Sequence, residues 1–236
     1  MDLRERVAVV TGAAGGLGRV LAADLSRGGA RLGLVGAHLE RLEAVAAELG
    51  LPAERTLTLA ADLRDPDAAE SAIAAVVERF GRLDILAHVV GGWTGGTSVL
   101  DTPRDKFAAM LDQHFWTTLY VTRAAVPRMT AGGWGRIVAV SSPLASSPTA
   151  RMSAYAAGKA AQETLLVTLA RELAGSGTTV NVLQVRTIDV KHERDGAPTE
   201  RNASWTTPEE ISAAFAWLLT DEAAVVNGAR IPLFGG

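Results

Sequence analysis

The chain has 236 residues, 48% of them hydrophobic, and sets 23 basic against 26 acidic side chains for a formal net charge of -3. That length builds one well-buried domain, and charges interspersed without blocks exclude nucleic acid and acidic lipid as expected partners. There is no cysteine, which excludes disulfides, thiol chemistry and thiolate metal sites and fits a reducing compartment.

The first residues run from charged side chains into a short apolar stretch, and no apolar stretch reaches the roughly 18 to 20 residues of a membrane span. The sequence therefore predicts a cytoplasmic protein without a membrane partner or a metal site. Val7–Val10 reads as a strand, followed by the turn Thr11–Gly18 (TGAAGGLG) and a helix through Leu21 and Leu25 that stops at Gly28-Gly29. A second strand is expected at Leu32–Val35, a helix at Leu39–Leu49 and a third strand at Leu57–Ala61. After Asp62, Pro66 opens a helix that runs to Phe80 before Gly81, since proline suits a first helical turn. Ile85–Val90 reads as a fourth strand, and the loop Gly91–Pro103 leads to two helices, about Arg104–Asp112 and Phe115–Thr130. Arg136–Val140 is the fifth strand, Thr179–Val185 the sixth and Arg230–Phe234 the seventh. Between them lie a helix ending about Ala174, a polar loop Arg186–Thr206 and a helix Pro208–Thr220. Strands that alternate with helices and read as unbroken apolar runs predict a parallel sheet covered on both faces.

The stretch Gly135–Ala161 concentrates the chemistry. Its strand ends in Ser141 and Ser142, and the next helix carries Tyr155 and Lys159 four residues apart, on one face. An ammonium beside a phenol favours the phenolate, so the tyrosine is expected to titrate below its usual value of about 10, as a general acid or base requires. A serine hydroxyl at the strand end would orient a carbonyl or carbinol oxygen. Taken singly, these residues also read as a solvated helix pair and a strand-end cap. Upstream, Gly12, Gly16 and Gly18 follow a strand and open a helix, which suits close approach to a pyrophosphate; alone, they could be only a tight turn.

In order and spacing, these residues resemble the short-chain dehydrogenase/reductase family from Val7 to the end of the chain. Thr11–Gly18 resembles its T-G-x-x-x-G-x-G cofactor turn, Asp62-Leu63 its adenine-contacting pair, and Ser142, Tyr155 and Lys159 its S-(12 residues)-Y-x-x-x-K spacing; Val180-Asn181 and Gly235-Gly236 match as well. The resemblance implies a Rossmann-type, doubly wound α/β fold, with residues 1–236 as one NAD(P)-binding domain and a short substrate lid at about 186–206. It implies that Ser142 holds the substrate oxygen, that Tyr155 moves its proton, and that Lys159 binds the nicotinamide ribose and lowers the tyrosine pKa. Cofactor contacts are implied in the turn at Gly12, Ala14, Gly16, Leu17 and Gly18, and at the adenosine end at Ala37, His38, Asp62 and Leu63. Further contacts are expected at Val90, Gly91, Tyr155, Lys159, Arg186 and Ile188. A homodimer or homotetramer is also implied, through the alanine- and leucine-rich helices Phe115–Thr130 and Met152–Ala174.

The pattern breaks in several places. His88-Val89-Val90-Gly91 stands where the family usually has Asn-Asn-Ala-Gly. The family's catalytic asparagine, which relays protons through water to the lysine, would fall thirteen residues before Pro127, at His114. Histidine hydrogen-bonds water and titrates near neutrality, so His114 either substitutes in the relay or packs. Val185-Arg186 replaces a Pro-Gly, which places Arg186 near the pyrophosphate or substrate mouth or leaves it solvated, and Gly158 replaces a small polar residue before the lysine. Gly36-Ala37-His38 offers neither the acidic residue that favours NAD nor the arginine that favours NADP. With no repelling carboxylate, and with His38 and Arg41 in reach, the balance tips to NADP.

The loop Gly91–Ser98 and the segment Asn202–Glu210 flank the expected substrate entrance, each with a tryptophan. With Trp116-Thr117 and Val182–Ile188 they are similar to the dihydropteridine reductase branch, which also departs from the Asn-Asn-Ala-Gly and asparagine patterns but lacks the serine. Ser142 points instead to a more ordinary carbonyl reductase. Trp93, Leu144 and Trp205 are the expected substrate contacts. Trp93, Trp116 and Trp205 would make a flat wall for a planar ring, or simply pack the elements that hold them, and the charged run Lys191–Asp195 suggests a mobile lid. The expected function is an NAD(P)-dependent oxidoreductase that moves hydride between nicotinamide and a small carbonyl or alcohol substrate, with Tyr155 as general acid/base. A pterin-type C=N reductase stays open, as does a nucleotide-binding sensor or scaffold with little turnover, suggested by His88, His114 and Arg186.

Overall fold

The computed structural model describes residues 2–234; Gly235-Gly236, matched above to the family's chain end, lies outside them. The strands are Val7–Thr11 (β1), Arg31–Gly36 (β2), Thr56–Ala60 (β3), Ile85–His88 (β4), Gly135–Ser141 (β5), Thr178–Gln184 (β6) and Arg230–Pro232 (β7). The helices are Gly16–Arg27 (α1), Leu39–Glu48 (α2), Pro66–Phe80 (α3), Arg104–Leu111 (α4), Thr117–Ala131 (α5), Ser153–Glu172 (α6), Glu193–Gly196 (α7) and Pro208–Leu218 (α8). All strand pairs are parallel, in the order β3-β2-β1-β4-β5-β6-β7.

Both faces of the sheet are covered, which is why the strands read as unbroken apolar runs. In β1, Ala8 and Val10 pack with Leu21 and Leu25 of α1, Leu42 of α2 and Phe215 of α8. Val7 and Val9 face the other way, into Ile73 and Val76 of α3, Val121 and Met129 of α5 and Leu166 of α6. Helix ends follow local chemistry: Asp65 caps α3 through the Asp67 amide, Pro66 opens it and Gly81 closes it at φ 80°, while Thr207 and Glu210 form a reciprocal capping box on α8.

Two local expectations are corrected. The two helices expected about Arg104–Asp112 and Phe115–Thr130 are one continuous rod, because α4 and α5 are joined by a π turn, Asp112–Trp116, that never leaves helical geometry. The fourth strand stops at His88, where the Val89-Val90 backbone comes within about van der Waals contact of Gly12. The loop Arg186–Thr206, expected to be a short lid, has local structure of its own and forms a strap. It contains α7 and a parallel bridge between Ile188 and Thr206. Asp189 accepts the Glu193 and Arg194 amides at 2.9 and 2.8 Å, and Arg194 reaches the Trp205 carbonyl at 2.8 Å.

Strand order reverses at β1, which has β2 on one side and β4 on the other. In a doubly wound sheet the crevice at the carboxyl ends of such strands is the place for a ligand.

Candidate active site

A cavity of about 730 Å³ opens at this crevice. One wall is the turn after β1. Gly12 sits at φ 69°, and a Cβ at Gly18 would lie 2.3 Å from the Gly12 carbonyl, so both must be glycine for the turn to close. Gly15 caps α1 without any side-chain hydrogen bond, which leaves the leading N–H groups of the helix free for an anion. The strap reaches over this turn, since the Val190 methyls sit 2.6–2.7 Å from where a Cβ on Gly16 would stand. A bare helix start, a backbone cradle without side chains and this volume fit the diphosphate of a dinucleotide.

The opposite wall carries Ser142, Tyr155 and Lys159. Ser142 follows β5 and caps a short 3-10 turn, Pro143–Ala145, through the Leu144 amide at 3.3 Å. Tyr155 and Lys159 are one turn apart on α6, whose close approach to the β5 end delivers the lysine to the Val140 carbonyl at 2.8 Å. The expected lowering of the tyrosine by the lysine is overturned. Burial pushes the phenol above its ordinary value, and the hydrogen bond with Ser142 pulls it the other way. The lysine itself is desolvated and brought down to about 7, with Glu163 opposing that shift.

His114 lies fully buried in the π turn. Its Nε2 is 3.0 Å from the Gly92 carbonyl, an acceptor only, so Nε2 carries the hydrogen and Nδ1 is an unprotonated acceptor with no protein partner. Its ring stands edge-on to Tyr155, centroids 5.5 Å apart at 81°. Burial, then the Lys159 charge, holds the imidazole at about 3; the expectation that it titrates near neutrality is therefore corrected.

Most residues singled out from sequence share this cavity: Gly12, Gly16, Leu17 and Gly18 on the turn; Val90, Gly91 and Trp93 after β4; and His114, Ser142, Leu144, Tyr155 and Lys159. Arg186, Ile188 and Trp205 of the strap line it too. Ala14 lies in the turn without lining the cavity, and Ala37 and His38 follow β2 further along the sheet edge. Asp62 pairs with Arg64 at 2.6 Å, which holds its carboxyl below the usual range. Leu63 is buried in the core with Val35 and Ala69. Trp116 is no part of a substrate wall: it is exposed and stacks on Tyr120 at 5.7 Å. Met152, Val190 and Arg201 line the cavity unforeseen, since an apolar or loop residue leaves no spacing signal.

A short chain dehydrogenase family model matches residues 6–200, and the chain belongs to that family of NAD(P)-dependent oxidoreductases. D-threitol dehydrogenase of Mycolicibacterium smegmatis is 32% identical over 248 aligned residues, 98% of this chain and 92% of its own. An uncharacterized oxidoreductase of Staphylococcus epidermidis is 31% identical over 187 residues, 79% of this chain and 80% of its own. A short chain oxidoreductase of Pseudomonas aeruginosa, described as containing an atypical catalytic center, superposes in its apo form with TM-score 0.89 at 26% identity, covering 100% of this chain and 98% of its own. Its NADPH-bound form gives TM-score 0.88 at 25% identity, covering 98% and 96%.

Proposed function

We propose that the chain moves hydride between NADP(H) and the carbonyl or alcohol carbon of a small substrate, with Tyr155 as the proton donor or acceptor. The observation that carries this reading is the cavity itself, with a side-chain-free anion cradle on one wall and Ser142, Tyr155 and Lys159 on the other. When bound, the coenzyme supplies or takes the hydride. Tyr155 gives its proton to the oxygen that becomes the carbinol, Ser142 steadies that oxygen, and Lys159 faces the ribose hydroxyls. His114 fixes the tyrosine ring edge-on and offers its unprotonated Nδ1 to water. The lack of a carboxylate at Gly36-Ala37-His38 supports NADPH over NADH, as does the NADPH-bound Pseudomonas relative.

The test is oxidation of NADPH and of NADH by the pure protein over a panel of ketones and aldehydes. Tyr155→Phe is expected to lose 10²-fold or more of the rate while NADPH still binds; wild-type turnover by that variant refutes the assignment, and a lower KM for NADH refutes the coenzyme preference. Trp93 and Trp205 on the cavity wall favour one second reading, reduction of a pterin-type C=N bond, which activity on quinonoid dihydropterin and on no ketone would establish. We also propose that the exposed Trp116–Tyr120 stack is covered in a homodimer or homotetramer, and a monomer by light scattering at micromolar concentration would end that idea.

A further inference from the structure

Behind the cavity wall, Lys159 continues into a chain of buried polar side chains, Gln162, Thr118, His88 and Thr11, that the proposed reaction does not use. Lys159 Nζ donates to the Val140 carbonyl at 2.8 Å and to Gln162 Oε1 at 3.0 Å. Gln162 Nε2 donates to Thr118 Oγ1 at 3.0 Å. Thr118 Oγ1 is 2.5 Å from the His114 main-chain carbonyl and 3.0 Å from His88 Nε2, and His88 Nδ1 is 2.9 Å from Thr11 Oγ1. Lys159, Gln162, Thr118, His88 and Thr11 are all buried, and of these Lys159 alone lines the cavity.

The direction of each bond follows from the carbonyl. A main-chain oxygen only accepts, so the Thr118 hydroxyl donates to His114 and its lone pairs must receive N–H groups from Gln162 and His88. His88 is thereby the neutral Nε2–H tautomer, with Nδ1 accepting the Thr11 hydroxyl. The Gln162 amide cannot flip, because its oxygen would then face a hydroxyl whose hydrogen is already committed. Its oxygen is fixed towards Lys159.

We propose that Gln162 is the positioning residue for the Lys159 ammonium, locked by Thr118 and His88 so that one lysine N–H remains for the cavity. An ammonium has three N–H donors, and Val140 and Gln162 take two. The arrangement holds a proton and does not conduct one: an amide N–H is no relay, the Thr118 hydrogen is committed to a carbonyl, and burial keeps His88 at about 3. The other titratable groups facing Lys159 are Tyr155 and Glu163 on its own helix and His114 from the π turn. Glu163 is itself tied by Gln184 Nε2 at 2.9 Å and Arg230 Nε at 2.6 Å.

This inference rests on the reading of Lys159 as the ribose-binding lysine, but its test does not require turnover. The chain has three lysines, Lys106, Lys159 and Lys191, so labelling lysine with ¹³C at Cε gives three signals, and Lys159→Arg identifies which is lost. Gln162→Leu is expected to lower the Lys159 midpoint by about one pH unit or more and to weaken NADPH binding measured by fluorescence. Gln162→Glu is expected to raise the midpoint. A midpoint unchanged in both variants overturns the proposal, and if Gln162→Leu does not fold, Gln162→Glu decides alone in the same way. If the wild type reduces no carbonyl yet the midpoints move, the proposed function fails and the positioning role stands.

Discussion

Gly158 sits inside α6, between Tyr155 and Lys159, where helix propensity alone favours alanine over glycine by about 1 kcal/mol. Packing argues the other way. A Cβ at Gly158 would lie 2.7 Å from the Met110 carbonyl oxygen, 3.1 Å from its carbon and 3.2 Å from His114 Cδ2. Two of these contacts are with main chain, which gives way only if the end of α4 and the π turn retreat together; overpacking of this kind costs about 1–3 kcal/mol. The net expectation for Gly158→Ala is a loss of up to about 2 kcal/mol, read as a lower urea midpoint at unchanged slope. Because the His114 ring rests edge-on to Tyr155, the same variant is expected to reduce kcat more than coenzyme affinity. A Gly158→Ala protein more stable than the wild type would show that propensity wins and that the helix contact is looser than described.

Stability should also report the buried lysine. Its folded pKa of about 7 lies below the unfolded 10.5, so between those values the unfolded chain binds more protons and unfolding free energy rises with pH. Relative to Lys159→Met, the wild type should gain stability from about pH 7 to about pH 10 and track it below pH 7; parallel urea midpoints across that window would contradict the desolvation. Asp84 accepts the Val7 amide at 2.9 Å, two Arg82 bonds at 2.8 and 2.6 Å and Arg6 at 3.2 Å, while only 2% exposed. Asp84→Asn should lower the unfolding free energy by about 2 kcal/mol, discounted for the partly exposed arginines; a loss under about 0.5 kcal/mol would class it with ordinary surface pairs.

Much of this was legible in the chain because it depends on local pattern. The apolar runs of β1, β4 and β5 name a doubly covered parallel sheet, and the serine, tyrosine and lysine share one cavity at the spacing the sequence displays. What escaped depends on surroundings. Spacing places Lys159 near Tyr155 but says nothing of the burial that raises one pKa and lowers the other. Residue type marks His114 as a neutral-pH titrator, and burial in the π turn cancels that. That turn has no sequence signature of its own, because it leaves the hydrogen-bonded rod unbroken. Gln162 and Thr118 look like ordinary helix residues until α5 and α6 are set side by side.

The strand order also bears on how the chain comes together during synthesis. β1 to β4 all arise from residues 7–88, so the half-sheet bearing the glycine turn is complete while strand β5 and helix α6 are still to be made. Until residues 135–141 arrive, β4 is an open edge at the centre of the future sheet. The half-sheet that bears the glycine turn therefore keeps an unpaired central edge, the kind of edge that invites wrong pairing, until β5 is made.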